Sequence, residues 1–329
     1  TTDGTGTGTY SSSITGLTSG VTYYLRAYAT NSIGTKYGEE ITLNTAQAVA
    51  TLAATTPVSD IGSTTATSGG NITYNGGATV TLSGIVWSTT STPTNSLTTK
   101  TTNGAATGTY TSNITGLTPG TLYYVRSYAT NSVGTNYGAQ TSFTTLNTPT
   151  INATASATSI TSSTATTGGT ITADGGASVT SRGVVYGTSS LSSTFSVTSG
   201  TGTGTYTSSL TGLTPATTYY VRSFATNSVG TVYGTETSFT TIAIAPTLTT
   251  TAASSITKYG ASAGGTITSN GGSTITASGI CWSTTATPTT SDFKTTDGTT
   301  TGIFTSALTG LNAGTTYYVR AYATNAIGT

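Results

Sequence analysis

Histidine is absent from this chain of 329 residues, which removes the commonest general base and metal ligand. Methionine is absent too, and the single cysteine, Cys281, has no partner for an internal disulfide. Charged residues make up only 5% of the chain, where ordinary globular proteins carry roughly a quarter. With a net charge of +1 and no cluster of Lys or Arg, the chain has no footprint for nucleic acid. No apolar run approaches the length of a membrane span, so no membrane insertion is expected. The eight carboxylates are scattered. Their one adjacent pair, Glu39-Glu40, would point to opposite faces of a strand. Glycoside hydrolysis needs two carboxylates converging on a cleft, and calcium needs several oxygens around one point. Asp3-Gly4, Asp174-Gly175 and Asp297-Gly298 therefore read as turns. The expectation is a chain without catalysis, metal or cofactor.

What the chain does hold is threonine, at more than a quarter of its positions, with 42 glycines and 20 tyrosines. A Ser/Thr/Gly bias alone would suit disorder, but disordered segments are poor in aromatic and β-branched residues. Here both recur throughout, which favours strands.

The chain also repeats itself. Tyr23-Tyr24-Leu25-Arg26 returns at Tyr123 to Arg126, Tyr219 to Arg222 and Tyr317 to Arg320, at spacings of 100, 96 and 98 residues. Gly69-Gly70 returns at Gly168-Gly169 and Gly264-Gly265, and an aromatic recurs at Trp87, Tyr186 and Trp282. Such a period suits one small domain per repeat and is too long for a solenoid turn. The expected organisation is the second half of a repeat over 1–46, complete repeats over 47–145 and 146–242, and a repeat lacking its last strand over 243–329. Both ends then fall inside a repeat, as in a window onto a longer array. The linkers, Leu146 to Pro149 and Ile242 to Pro246, are short and stiffened by proline.

Within the second repeat, Thr67 to Tyr74 reads as a strand entering the Asn75-Gly76-Gly77 turn, and Thr79 to Ser88 as its return strand. Tyr110, Ile114 and Leu117 would line a further strand. Their spacing also suits a helix, but the Thr, Ser, Asn and Gly between them do not. The fold class is all-β, and no credible helix is present.

Leu117-Thr118-Pro119-Gly120-Thr121-Leu122-Tyr123-Tyr124-Val125-Arg126-Ser127-Tyr128-Ala129 resembles the E–F corner and F strand of a fibronectin type III domain. The resemblance implies tandem Ig-like β-sandwiches, arranged as an extended rod. It also gives Tyr123 the tyrosine-corner role, in which the hydroxyl bonds back to the upstream backbone. Tyr23, Tyr219 and Tyr317 take the same place. The Pro-Gly of the corner varies to Ser19-Gly20, Pro215-Ala216 and Ala313-Gly314. The core Trp usual on the family's B strand is missing, and Trp87 or Trp282 stands on the next strand instead. The idiom as a whole (Gly-Gly ahead of the B strand, Gly279 to Thr290, Tyr317 to Asn325) is similar to repeats of very large surface and secreted proteins of Bacteroidetes-type bacteria. These include adhesins, gliding-surface proteins and polysaccharide degraders. An extracellular or cell-surface location follows from that resemblance alone.

Strand alternation turns Tyr123, Val125, Ser127 and Ala129 inward. It sends outward a stripe of Tyr24, Arg26 and Tyr28; Tyr124, Arg126 and Tyr128; Tyr220, Arg222 and Phe224; and Tyr318, Arg320 and Tyr322. The stripe reads first as a cross-strand structural ladder, each guanidinium stacked on flanking rings and neighbouring strands. The alternatives are contact with a laterally associated copy or with a surface glycan. Cys281 aligns with Val86 and Val185 and reads as a small core hydrophobe. The function expected is a structural stalk in a large surface adhesin or filament, its partners the neighbouring repeats of the same chain. The alternative is a set of spacer or carbohydrate-binding modules in a secreted polysaccharide-degrading enzyme.

Overall fold

The computed structural model describes residues 1–329 and contains 25 strands and no helix. It divides into two compact units, Thr1–Asn147 with Gly175–Ala177, and Thr148–Asp174 with Ser178–Thr329.

In the first unit, β1 (Thr22–Asn31) and β2 (Gly34–Asn44) form an antiparallel two-stranded sheet. Eight strands follow: β3 (Thr51–Leu52), β4 (Thr56–Ser59), β5 (Ala66–Tyr74), β6 (Leu82–Ser88), β7 (Gly108–Ile114), β8 (Leu122–Thr130), β9 (Thr135–Tyr137) and β10 (Thr141–Thr144). One sheet is built on β5, with β3 and β4 along one edge and β7 along the other. The second is built on β8, with β6 on one edge and β9 and β10 on the other. Ile85, Trp87, Ile114, Tyr123, Val125 and Phe143 fill the space between the sheets, the arrangement of a fibronectin type III-like sandwich. Polar bonds also cross the sandwich, among them the Ser127 amide donating to Thr55 Oγ1 at 2.9 Å.

The second unit repeats this plan. The strands of its first sandwich are β11 (Thr150–Ile151), β12 (Ala155–Thr158), β13 (Ala165–Ala173), β14 (Ser181–Gly187), β15 (Phe195–Thr198), β16 (Gly204–Leu210), β17 (Thr218–Thr226), β18 (Thr231–Tyr233) and β19 (Thr237–Thr240). There β13 pairs with β11, β12 and β16, while β17 pairs with β14, β18 and β19. After them come β20 (Thr247–Ser254), β21 (Gly260–Ser269), β22 (Ala277–Ser283), β23 (Phe293–Lys294), β24 (Gly302–Thr309) and β25 (Tyr318–Thr324), in sheets β20-β21-β24 and β23-β22-β25. The inter-sheet threonine bond recurs, from the Ser223 amide to Thr154 Oγ1 and from the Ala321 amide to Thr250 Oγ1.

Four local expectations change. The Asn75-Gly76-Gly77 turn does not close a hairpin, because β5 and β6 lie in different sheets. The chain crosses between layers there, and Ala78 and Val80 are buried on the way. The strand after the turn starts at Leu82, not Thr79. Leu117 lies beyond β7, where its amide bonds to the Thr64 carbonyl, and it reaches the core from a loop. Gly69-Gly70 is inside β5, not ahead of it. A Cβ on Gly69 would stand 2.2 Å from the Tyr110 carbonyl oxygen, and one on Gly70 2.6 Å from the Tyr110 hydroxyl and 2.7 Å from Ser127 Cβ. The pair is glycine because the neighbouring strand and the facing sheet both come close.

Candidate functional site

The four corner tyrosines make one bond each time. The amide five residues upstream donates to the phenol oxygen: Thr18 to Tyr23 at 2.8 Å, Thr118 to Tyr123 at 3.0 Å, Thr214 to Tyr219 at 3.0 Å and Asn312 to Tyr317 at 3.1 Å. The varied corner sequences do not alter the turn. Gly20, Gly120 and Gly314 have φ of 64°, 63° and 69°, and Ala216 takes φ 50° in the same place. A left-handed residue is required there, and Ala216 bears the steric cost of being one.

The Tyr-Arg stripe separates into two kinds of residue. Tyr24 and Tyr318 are exposed, Tyr124 and Tyr220 half-buried. Tyr128, Phe224 and Tyr322 are buried, at 0%, 9% and 7% exposure. They do leave the sheet on its outer side, as alternation requires, but the segment that follows β6, β14 or β22 comes close over the glycine opposite each ring. Tyr128 Oη donates to the Thr101 carbonyl at 2.8 Å, and Tyr322 Oη to the Thr295 carbonyl at 2.6 Å. Each ring lies opposite a glycine in register, Gly84, Gly183 or Gly279. A Cβ on Gly84 would be 2.1 Å from the Thr101 carbonyl oxygen. Outward direction and exposure thus part company, and of the two rings in each triplet the first is the more accessible. Beside the two-stranded sheet, Tyr28 Oη makes the same bond, to the Thr1 carbonyl at 3.1 Å, yet Tyr28 remains 45% exposed.

Three of the four stripe arginines are held by their own domain. The Arg126 guanidinium carbon lies 4.4 Å from the centroid of the Tyr137 ring on β9, Arg222 lies 4.7 Å over Tyr233, and Arg26 lies 5.2 Å over Tyr37. Arg26 and Arg126 also donate from Nε to the carbonyls of Gly38 and Gly138 at 3.0 and 3.3 Å. Arg222 donates to the Leu191 carbonyl at 3.1 Å, leaving its buried Nε without an acceptor. Arg320 is exposed and pairs in register with Cys281. The stacking rings come from the next strand, in Gly-Thr-x-Tyr-Gly motifs at Gly34, Gly134 and Gly230. Sequence reasoning passed over these tyrosines, although the motif recurs as faithfully as the arginine.

Beside Arg222, the Glu236 carboxylate accepts from the Ser190 hydroxyl at 2.7 Å and from the Leu191 amide. These bonds, and then the guanidinium charge, hold its pKa below the usual carboxylate range. Gln140 gives the same acceptor to Thr92 in the preceding repeat. Leu191 and Thr92 both sit at φ 57°, so this anchor steadies a strained loop tip.

Cys281 is buried, but on the outer side of β22, where it contacts the Arg320 and Pro288 carbonyls rather than the inter-sheet core. Burial pushes its thiol pKa up, against a smaller opposing pull from Arg320, which suits an inert side chain.

Asp297 is more than a turn residue, because its carboxylate accepts from the Thr295 and Ser306 hydroxyls and ties the covering segment to β24. Another unforeseen residue is the asparagine after Ala-Thr. Asn131 Oδ1 accepts from the amides of Val133 and Gly134, while Nδ2 donates to the carbonyls of Ala48 and Asn75. Asn325 repeats all four bonds with Ile327, Gly328, Ile244 and Asn270. One amide side chain thereby fastens three chain segments at one pole of a repeat.

No group of three or more Asp, Glu and Cys side chains is placed to hold a metal ion, and no helix is long and apolar enough to cross a membrane. No family model and no curated protein matches the chain. Among solved structures, it is similar to the crystal structure of the chicken CNTN1 FN1–FN3 domains, at 15% identity and a TM-score of 0.31, over 84% of this chain and 94% of that one. The sheet order and the four corner bonds, independently of that likeness, make these repeats fibronectin type III-like sandwiches.

Proposed function

We propose that the chain is a non-catalytic spacer: a run of sandwich repeats in a large extracellular adhesin or surface filament. The observation that carries this reading is the internal satisfaction of the Tyr-Arg face. Arg126 and Arg222 spend their guanidinium groups on their own repeat's rings and carbonyls, and Tyr128 and Phe224 are covered. A face built to grip a partner would leave such groups free, since interface anchors draw on exposed aromatics and arginines. Sparse charge adds to it, because an exposed fibre with few ion pairs responds little to salt.

The competing reading, a carbohydrate-binding module, retains Tyr24, Tyr124, Tyr220 and Tyr318. Glycan-array binding by the purified chain decides between the two. The spacer reading expects no saturable binding. Binding that disappears in Tyr124→Ala with Tyr220→Ala would replace it with the carbohydrate reading. Cryo-electron tomography of the native surface tests the location, with fibres displayed outside the cell as the expected result.

A further inference from the structure

The spacer reading leaves open whether neighbouring repeats swing freely or are held, and the linkers answer it. Between β2 and β3, Ala46 accepts from the Gly20 amide at 3.0 Å, on the corner of the preceding repeat. Ala48 donates to the Gly76 carbonyl at 2.9 Å and accepts from Asn131 Nδ2 at 2.7 Å, both in the following repeat. Only Gln47 lies between those tethers, and its own side-chain amide donates to the Gly77 carbonyl at 2.9 Å. The linker between β19 and β20 is held alike. The Ile242 amide bonds to the Thr161 carbonyl of the preceding repeat, and the Ile244 amide to the Gly271 carbonyl of the following one, leaving Ala243 between.

The repeats also touch directly at each of these linkers. A Cβ on Gly77 would stand 2.4 Å from Gly20 Cα and 2.9 Å from the Ser19 carbonyl oxygen. A Cβ on Gly272 would stand 2.2 Å from Ala216 Cβ and 3.0 Å from the Pro215 carbonyl oxygen. The first glycine of each turn has a different neighbour: a Cβ on Gly76 or Gly271 would meet the linker carbonyl of Ala48 or Ile244 at 2.1 or 2.0 Å. All four turn glycines have positive φ, from 69° to 84°. The two glycines therefore do two jobs, one letting the linker lie flat on its own repeat and the other admitting the corner of the repeat before. Tyr74 adds a hydroxyl donor to the Ser19 carbonyl across the first contact.

We infer that the tyrosine-corner turn of one repeat and the Gly-Gly turn of the next form a built interface that locks the two sandwiches at a fixed angle. The surface is the left-handed corner turn, and its partner is the Gly-Gly turn of the following copy of the repeat. This deepens the spacer reading and rests on it for its biological meaning, whereas the geometry of the joint stands by itself.

Spin-label distance measurement on the full chain tests it. In a Cys281→Val background, Thr205→Cys and Thr305→Cys place labels on exposed strand positions either side of the joint at Gly272. A single narrow distance distribution is expected, and a broad one in this otherwise unaltered chain overturns the inference. Ala216→Asn keeps a residue that tolerates positive φ but adds bulk against Gly272, and Gly272→Ala adds the missing Cβ. Both are expected to lose the narrow peak, while Ala216→Gly keeps it. A narrow peak surviving in both bulky variants would equally overturn the joint. A flexible joint would leave the spacer reading intact, whereas glycan binding by a stiff array would remove the spacer reading and leave the joint.

Discussion

At the scale of single residues, phenols and threonine hydroxyls do work that charge does in other proteins. Tyr123→Phe deletes the acceptor for the Thr118 amide and nothing else. The expected loss is about 1 kcal/mol, the net worth of one such bond, read as faster hydrogen exchange at Thr118. The Tyr110 hydroxyl, which donates to the Gly84 carbonyl at 2.9 Å, is pushed up to about 12, mainly by burial. A folded-state pKa above the ordinary value of about 10 favours the neutral ring in the native state. That stabilisation is whole below about pH 10 and drains away as pH rises through about 12. Burial raises Tyr128, Tyr186 and Tyr206 as well, so phenolate absorbance should show a late-titrating set, from which Tyr110→Phe removes one member, together with a less steep alkaline loss of stability. Phe304 stands at the matching place on β24, so the hydroxyl is not needed for the fold itself.

Glu236 carries the opposite sign. Its pKa is lowered in the folded chain, so its hold on the Ser190–Leu191 loop is complete above the ordinary carboxylate pKa and is lost as pH falls through the lowered one. The Leu191 amide resonance should shift with that acid titration, and Glu236→Gln, which copies Gln140, should flatten it. An unchanged profile in the variant would assign the titration to another group.

At the scale of elements, the recurring glycines mark places where backbones approach. Gly70 lies on β5 facing Ser127 of the other sheet. Gly70→Ala must push the sheets apart or displace the Tyr110 ring, an overpacking cost of about 1–3 kcal/mol. A lower urea midpoint for the surrounding repeat is expected, and no change would mean that the sheets have slack there. Strand β6 shows why alternation alone misjudges exposure. It is buried on both faces, with Ile85 and Trp87 toward the core and Val86 beneath the covering segment. The period of two fixes which way a side chain points, but not what is waiting there.

At the scale of the whole molecule, the same bonds recur in both units with little change in length, although loops and corner residues differ between copies. The corner bond spans 2.8 to 3.1 Å across four copies, and the inter-sheet threonine bond 2.8 to 3.0 Å across three. Repetition of geometry across altered sequence identifies the residues that specify the fold. Asn131→Ala removes four such bonds at once. It should raise hydrogen exchange at Ala48, Val133 and Gly134 together, where loss at only one of them would refute a shared clamp.

The all-β class, the period of nearly 100 residues, the inward set Tyr123, Val125, Ser127 and Ala129 and the corner tyrosines were legible in the sequence. Each depends on composition, alternation or, for the corner tyrosines, on the family resemblance that a short local motif carries, and so survives without knowledge of distant partners. The crossing of the chain between sheets at Gly76-Gly77, the burial of Tyr128 and the stacking of Arg126 on Tyr137 rather than on its strand neighbours were decided only in three dimensions. Each of these depends on a segment brought in from elsewhere in the repeat, and no local pattern announces which segment will come to cover a strand's outer face.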